Sequence, residues 1–339
     1  MKKKIAVLLI IIGIFAGCNK KEDNKKNNQQ ENAVVTGSGI VAGEILTPVV
    51  KNSKFGYISS AGKAKTEYIY EEAGEFKEGL ARVCLNGNYG YINLEGKIAV
   101  NFIYSGGGEF SQGLIPVMKD GLWGYIDSGE TGKIPFKYDF ADSFSEGMAA
   151  VQIGGRSFYI DKNGHSSGKT YEYAQKFSEG LAAVQINGKY GYIDKEEKIV
   201  IEPKFDRAFE FSEGIAKVLI DDKAGYINAK GDIKIEAEYI DSGYFKEELA
   251  PVQKSVKYGY INTKGKYIIK DKFEYAAEFS EGAALVRDGE KYGYIDTKGI
   301  YIIKPSYEEG YDFKNGIALV KIDKKYVCID KKGEIIWRE

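Results

Sequence analysis

A repeat with a period of 33 or 34 residues constrains the fold of this chain more than any other feature. An aromatic-isoleucine step begins at Tyr57-Ile58 and recurs eight times, with Cys328 replacing the aromatic residue in the last copy. A Phe-Ser-Glu-Gly step, clearest at 211–214, runs in phase with it. Two motifs that share one period across most of a 339-residue chain indicate tandem copies of one supersecondary unit. Such a unit buries its apolar face only against its neighbours.

Each unit is predicted to be a three-stranded antiparallel meander. In the clearest copy, Asn187-Gly188 separates two strand-like runs, which is a strong signal for a two-residue hairpin. Asp194 opens a second turn, and most copies close that turn with glycine. The fold class is therefore all-β. We divide the chain into a leader at 1–17, a tether at 18–33 and a repeat domain of nine units at 34–339.

Alternation along the middle strand assigns residues to the two faces of each sheet. Tyr190 and Tyr192 point to one side, whereas Gly191 and Ile193 point to the other. We predict that Ile193 and its equivalents are core, and that the phenylalanine of each Phe-Ser-Glu-Gly step docks between units. The equivalents of Tyr192 would form a stripe that either packs under the loops or presents a binding surface. These residues are Tyr57, Tyr91, Tyr125, Tyr159, Tyr192, Tyr226, Tyr260 and Tyr294.

The repeats could stack in an open array or close into a ring. Ring-closing propellers typically have about four to eight blades and often share one blade between the two termini. Here neither end of the array looks like a fragment that needs the other, and both end units are atypical. End units that differ from the others are expected where they cap an open array. We therefore predict an elongated solenoid, with a propeller-like ring as the alternative.

The repeat resembles the bacterial WG (tryptophan-glycine) family. That family has an aromatic-Gly-aromatic-Ile-Asp core, carried here by 190–194, and a Phe-Ser-Glu-Gly-Leu-Ala step, carried here by 211–216. Only Trp123-Gly124 has the tryptophan that gives the family its name. The resemblance covers about residues 45–337. It implies a repeat architecture and implies no catalytic residues.

The N-terminal residues have the pattern of an export signal. Lys2, Lys3 and Lys4 precede an apolar run over 5–16, which is too short to span a bilayer core of about 30 Å. The run ends in Phe15-Ala16-Gly17-Cys18, which resembles a lipobox, where the cysteine is lipidated. An ordinary cleavage site with an incidental cysteine is the alternative. Residues 19–32 include no apolar side chain, so they are predicted to be a flexible tether.

Few residues are suited to catalysis. His165 is the only histidine and lies in a Gly/Ser-rich turn, and Cys84 and Cys328 occupy strand positions as predicted buried thiols. No Cys/His cluster has zinc spacing, and the repeated aspartates lack the second carboxylate of a calcium loop. The repeated glutamates occupy equivalent places, which is typical of a structural motif and not of a unique site. We expect no enzyme activity, no metal and no cofactor.

These observations predict a lipid-anchored, extracytoplasmic lipoprotein of a bacterial cell envelope whose repeats bind protein. The alternative is glycan or cell-wall binding through the tyrosine stripe, and a hydrolase is the least supported class. The formal net charge is −1, so nothing favours a nucleic-acid partner.

Overall fold

The computed structural model describes residues 46–339, and within that range all regular structure is β. Its 33 strands form nine sheets. Eight of these sheets have three or four strands and are the blades of a β-propeller, named blades I–VIII in chain order. The ninth sheet has two strands and is named the seam sheet.

The strands have the following bounds. The seam sheet has β1 (Leu46–Lys51) and β2 (Lys54–Ser59); blade I has β3 (Glu72–Lys77), β4 (Leu80–Leu85), β5 (Asn88–Asn93) and β6 (Ile98–Tyr104); blade II has β7 (Gly106–Gly107), β8 (Ile115–Lys119), β9 (Leu122–Ile126) and β10 (Gly132–Tyr138); blade III has β11 (Phe140–Ala141), β12 (Met148–Ile153) and β13 (Arg156–Asp161). Blade IV has β14 (Tyr173–Ala174), β15 (Ala182–Ile186), β16 (Lys189–Ile193) and β17 (Ile199–Phe205); blade V has β18 (Arg207–Ser212), β19 (Ile215–Ile220), β20 (Lys223–Asn228) and β21 (Ile233–Tyr239). Blade VI has β22 (Asp241–Ser242), β23 (Leu249–Gln253), β24 (Tyr258–Asn262) and β25 (Tyr267–Phe273); blade VII has β26 (Tyr275–Ala276), β27 (Ala284–Asp288), β28 (Lys291–Ile295) and β29 (Tyr301–Tyr307); blade VIII has β30 (Glu309–Gly310), β31 (Ala318–Ile322), β32 (Lys325–Ile329) and β33 (Ile335–Arg338).

The predicted meander is the body of every blade except blade III, where an isolated bridge between Ser157 and Tyr171 takes the place of the last strand. In blade IV, β15 and β16 pair antiparallel around Asn187-Gly188, whose φ values of 51° and 76° suit a tight hairpin turn. A further strand, which was not predicted from the sequence, pairs with the first strand of the meander, and it is only two residues long in six blades. In blades II, III and V–VIII this strand begins two residues after the last strand of the preceding blade ends, so the connection between those units is itself part of the sheets.

The ring is closed, which corrects the prediction of an open solenoid and confirms the propeller alternative. Val49 and Ile58 of the seam sheet pack against Ile317, Cys328 and Trp337 of blade VIII in one buried cluster. The Trp337 indole N–H donates to the Tyr68 hydroxyl at 2.9 Å, and the two rings stack. The atypical ends were predicted to be caps, but their apolar faces cover each other instead.

Both faces of each sheet are buried against neighbouring sheets. Tyr192 packs toward blade V with Phe211 and Ile227, whereas Ile193 packs toward blade III with Tyr159 and Phe177. Burial of a large apolar side chain contributes about 1.5–3 kcal/mol. The prediction that the isoleucine equivalents form the core is therefore confirmed, and the docking of phenylalanine between units is confirmed with it.

In the four-stranded blades, the last strand is an edge of its sheet. In blade IV, β17 carries Pro203, Lys204 and a register shift against β16. Proline, lysine and bulges discourage pairing with another chain. In residues 46–339, no helix is long and apolar enough to cross a bilayer.

Candidate interaction surface

The Phe-Ser-Glu-Gly turns line the inside of the ring. The Glu179 carboxylate accepts a hydrogen bond from the Gly214 N–H at 2.9 Å, and the Ser178 hydroxyl donates to the Phe211 carbonyl at 2.8 Å. The same pattern joins most neighbouring turns of blades I–VIII. Direct turn-to-turn bonds require a small circumference, so the turns and the short strands beside them lie nearest the axis. The structural role expected of the repeated glutamates is confirmed.

Each of the eight tyrosines of the predicted stripe joins its own sheet to the following blade, and we name them the latch tyrosines. Each hydroxyl donates to a backbone carbonyl of the following blade at 2.6–2.8 Å, as Tyr192 does to Phe209. All eight side chains are buried. Burial raises the pKa of Tyr125 well above its usual value, so the hydroxyl stays protonated and keeps donating.

Two positions beside the axis vary from blade to blade. One is the first residue of each short strand, and the other is the residue just before the phenylalanine of the repeated turn. We name these sixteen residues the inner surface. They are Glu72, Gly106, Phe140, Tyr173, Arg207, Asp241, Tyr275 and Glu309 at the first position, and Glu75, Glu109, Ser143, Lys176, Glu210, Tyr244, Glu278 and Asp312 at the second. All except Gly106 are at least partly exposed.

The inner surface is acidic and aromatic. It has eight carboxylates against two cations, Lys176 and Arg207, and four aromatic side chains. Tyr275 is 40% exposed, and its ring lies 6.4 Å from that of Tyr258 and 6.0 Å from that of Tyr292. Exposed tyrosines beside carboxylates provide flat apolar area together with charge, a combination suited to binding cationic groups.

One sector of this surface already binds an ammonium group of its own. The Lys217 Nζ lies 4.3 Å from the Phe209 ring centroid and 5.3 Å from that of Tyr244, and it donates to the Ser242 carbonyl at 2.8 Å. Burial lowers the pKa of Lys217, while the nearby Asp241 carboxylate opposes that change. The inner surface can thus hold a cation between aromatic rings.

Comparison with known proteins identifies the repeat. A family model described as "WG containing repeat" matches eight times, at residues 55–89, 89–123, 123–156, 158–190, 190–223, 225–257, 258–292 and 292–326. The chain belongs to the WG-repeat family. No curated protein matches the chain.

Solved structures match the chain at low sequence identity. A crystal structure of the eukaryotic initiation factor is 11% identical, with a TM-score of 0.64 over 87% of this chain and 96% of that chain. Dihydro-heme d1 dehydrogenase NirN is 11% identical, with a TM-score of 0.47 over 86% of this chain and 72% of that chain. The first likeness supports the propeller fold of this WG-repeat protein and nothing about its ligands. A repeat propeller is a scaffold suited to protein binding.

The residues singled out from the sequence do not converge on one site in the WG-repeat propeller. Because the latch tyrosines are buried, they do not form the exposed stripe that glycan binding required. His165 is exposed, with its Nδ1 atom 3.3 Å from the Asp161 carboxylate. Cys84 and Cys328 are buried in blades I and VIII. Cys18 lies outside the described residues.

A short Ser–Glu contact outside the inner surface is structural. The Ser167 hydroxyl donates to Glu197 at 2.5 Å, and the Tyr171 hydroxyl donates to the same carboxylate at 2.9 Å. Glu197 stands at the turn position where most units have glycine, and its φ is 55°. The Glu197 carboxylate therefore joins blade IV to the preceding segment through Ser167 and Tyr171. Within residues 46–339, no group of His, Cys, Asp and Glu side chains has metal-site geometry.

The inner surface was not predicted from the sequence because its residues differ between repeats, whereas the predictions rested on the residues that recur. The informative signal was variation at fixed repeat positions. Lys176, Glu210, Tyr244 and Glu278 occupy the same place in successive units yet differ in charge and shape. Side chains at these positions do not pack between blades as the repeated tyrosines and phenylalanines do, so their identity can vary.

Proposed function

We propose that this protein is a lipid-anchored scaffold on the extracytoplasmic side of a bacterial envelope, where its inner surface binds a protein partner. One observation carries the proposal: the repeated residues are occupied in contacts between blades, whereas the exposed inner positions differ from blade to blade. In repeat proteins, variable side chains on a constant frame provide specificity. Binding without catalysis is proposed because the single histidine is exposed in a turn and its ring contacts the Asp161 carboxylate.

The envelope location rests on the N-terminal sequence. The short apolar run and the cysteine at its end favour export and lipidation. Two or more acyl chains anchor a protein firmly, whereas a single chain does so only marginally. The polar residues 19–32 would then connect the anchor to the propeller.

Cys18→Ser is expected to abolish acylation and to move the full chain from the membrane fraction to the soluble fraction. The reason is that no other cysteine lies before residue 84. The measurement is incorporation of a palmitate analogue together with fractionation of the cells. Cys328→Ser, which changes a buried thiol, should leave both results as in the unaltered chain. Membrane retention of the Cys18→Ser chain would contradict the lipid anchor.

Partner binding is tested by cross-linking the full chain in its own envelope. We expect cross-linked partners to be lost when Glu109→Lys and Glu210→Lys reverse two charges of the inner surface. The matched control carries Glu202→Lys and Glu236→Lys, which reverse two exposed charges on the outer strands β17 and β21. Equal loss in both variants, or loss in neither, would contradict binding by the inner surface.

A further inference from the structure

The junction between blade VIII and the seam sheet differs from the other eight junctions of the ring. Each of those eight is joined by the hydroxyl of a latch tyrosine. In blade VIII the latch position is occupied by Cys328, which pairs with Leu319 as Tyr294 pairs with Leu285 in blade VII. A thiol is only a weak hydrogen-bond donor. The ring is therefore closed without the hydroxyl bond that joins every other pair of neighbouring sheets.

The buried cluster at this junction is also small. Among residues 46–339, it consists of five buried residues, whereas ten form the cluster between blades IV and V. The five are Val49, Ile58, Ile317, Cys328 and Trp337. Because stabilisation by apolar burial grows with the area removed from water, packing contributes less here than at a junction between two blades.

Polar contacts across the junction are few and lie close to solvent. Besides the Trp337 indole bond described above, the Asn52 N–H donates to the exposed Glu339 carboxylate at 3.3 Å. Lys314 of blade VIII is ion-paired with Glu75 of blade I, and both side chains are partly exposed. Exposed charged contacts contribute little because water competes for both partners. The junction thus depends mainly on a small apolar cluster and one indole hydrogen bond.

We propose that the ring opens reversibly at the junction between blade VIII and the seam sheet, while the eight latched junctions stay closed. Native proteins open locally where few buried contacts hold an element in place. β1 is the first described strand, so the N-terminal segment joins the propeller at the sheet that separates. The opening is a conformational device of the fold and requires no ligand.

Opening at this junction would regulate the inner surface. Glu75 lies on blade I and Asp312 lies just before blade VIII begins its meander, so the inner surface continues around the axis only while the ring is closed. A ligand that contacts both sides of the junction would favour the closed ring, because it binds that state more tightly. This consequence rests on the proposed function, whereas the opening itself does not.

The test is alkylation of the native, detergent-solubilised full chain by N-ethylmaleimide at pH 8, with peptide mass spectrometry to distinguish the cysteines. Cys84 and Cys328 are both 0% exposed, but Cys84 lies in blade I, where latch tyrosines close both neighbouring junctions. Burial raises the pKa of the Cys328 thiol to about 12, so the closed ring has almost no reactive thiolate there. After each rate is divided by the rate in denaturant, Cys328 should react about tenfold or more faster than Cys84. Equal normalised rates would mean that only global unfolding exposes the thiols, and they would overturn the proposal.

Two variants distinguish local opening from a general loss of stability. Trp337→Phe keeps an apolar ring but removes the indole hydrogen bond across the junction, so alkylation of Cys328 should become several-fold faster while that of Cys84 is unchanged. The matched control is Tyr226→Phe, which removes the latch hydroxyl between blades V and VI and should leave the Cys328 rate unchanged. Equal acceleration of Cys328 in both variants, or in neither, refutes opening at this junction. Neither readout involves a partner, so failure here is distinct from failure of the cross-linking experiment.

Discussion

Ile193→Asp is expected to unfold the propeller or make it insoluble. The Ile193 side chain is fully buried between blades III and IV, with Tyr159 and Phe177 in the same cluster. An unpaired carboxylate there loses its hydration without gaining a partner, at a cost of several kcal/mol. Because whole domains are stable by only about 5–15 kcal/mol, one such change threatens the whole ring. Thermal unfolding followed by circular dichroism, together with the soluble yield, measures the effect.

The control for this change lies on the next strand of the same blade. Ile199 begins β17 and is 48% exposed. Ile199→Asp makes the same chemical change where the carboxylate stays in water, so the melting temperature should shift little. A soluble Ile193→Asp chain that melts like the Ile199→Asp chain would contradict the assignment of the isoleucine face to the core.

Gly191→Ala is expected to destabilise blade IV by an amount unusual for the addition of one methyl group. A Cβ atom at Gly191 would lie 2.4 Å from the Ile201 carbonyl oxygen and 2.7 Å from the Pro203 nitrogen. Both are backbone atoms of the bulged strand β17, so the strand itself must move. Overpacking of this kind typically costs about 1–3 kcal/mol. Chemical denaturation of the purified chain gives the change in free energy of unfolding.

Gly132→Ala serves as the matched substitution for this experiment. Gly132 begins strand β10, it has no positive φ, and a Cβ atom there would meet no atom within 4 Å. Alanine at 132 should therefore be neutral or slightly stabilising, because it reduces the freedom of the unfolded chain. If alanine at 191 were as harmless as alanine at 132, the close approach of the bulged strand would be wrong.

Local features of the fold were predictable because they depend on near neighbours in the chain. The Asn187-Gly188 hairpin and the turn at Asp194 have the conformations that their residues favour. Gly191 precedes Tyr192, and the bulged outer strand of the same blade approaches it closely. Alternation also identified Ile193 as core.

The candidate site was less predictable for a physical reason. The tyrosines looked like a surface stripe because alternation places them on the face opposite Ile193, and an isolated sheet would expose that face. In the propeller each face is covered by a neighbouring sheet, so the same tyrosines became hydrogen-bonded latches such as Tyr192. The inner surface, by contrast, depends on short strands that the sequence analysis treated as connections.

By itself, the sequence determined the repeat, the hairpins, the apolar residues of each sheet and the family, since all of these follow from periodicity and local chemistry. Only the tertiary structure decided between an open array and a ring, because closure depends on whether Val49 and Ile58 meet Cys328 and Trp337 after the rotations of every unit have accumulated. The total rotation around the ring is a property of the packed sheets, because the small angle at each interface is not specified by the sequence of a single repeat.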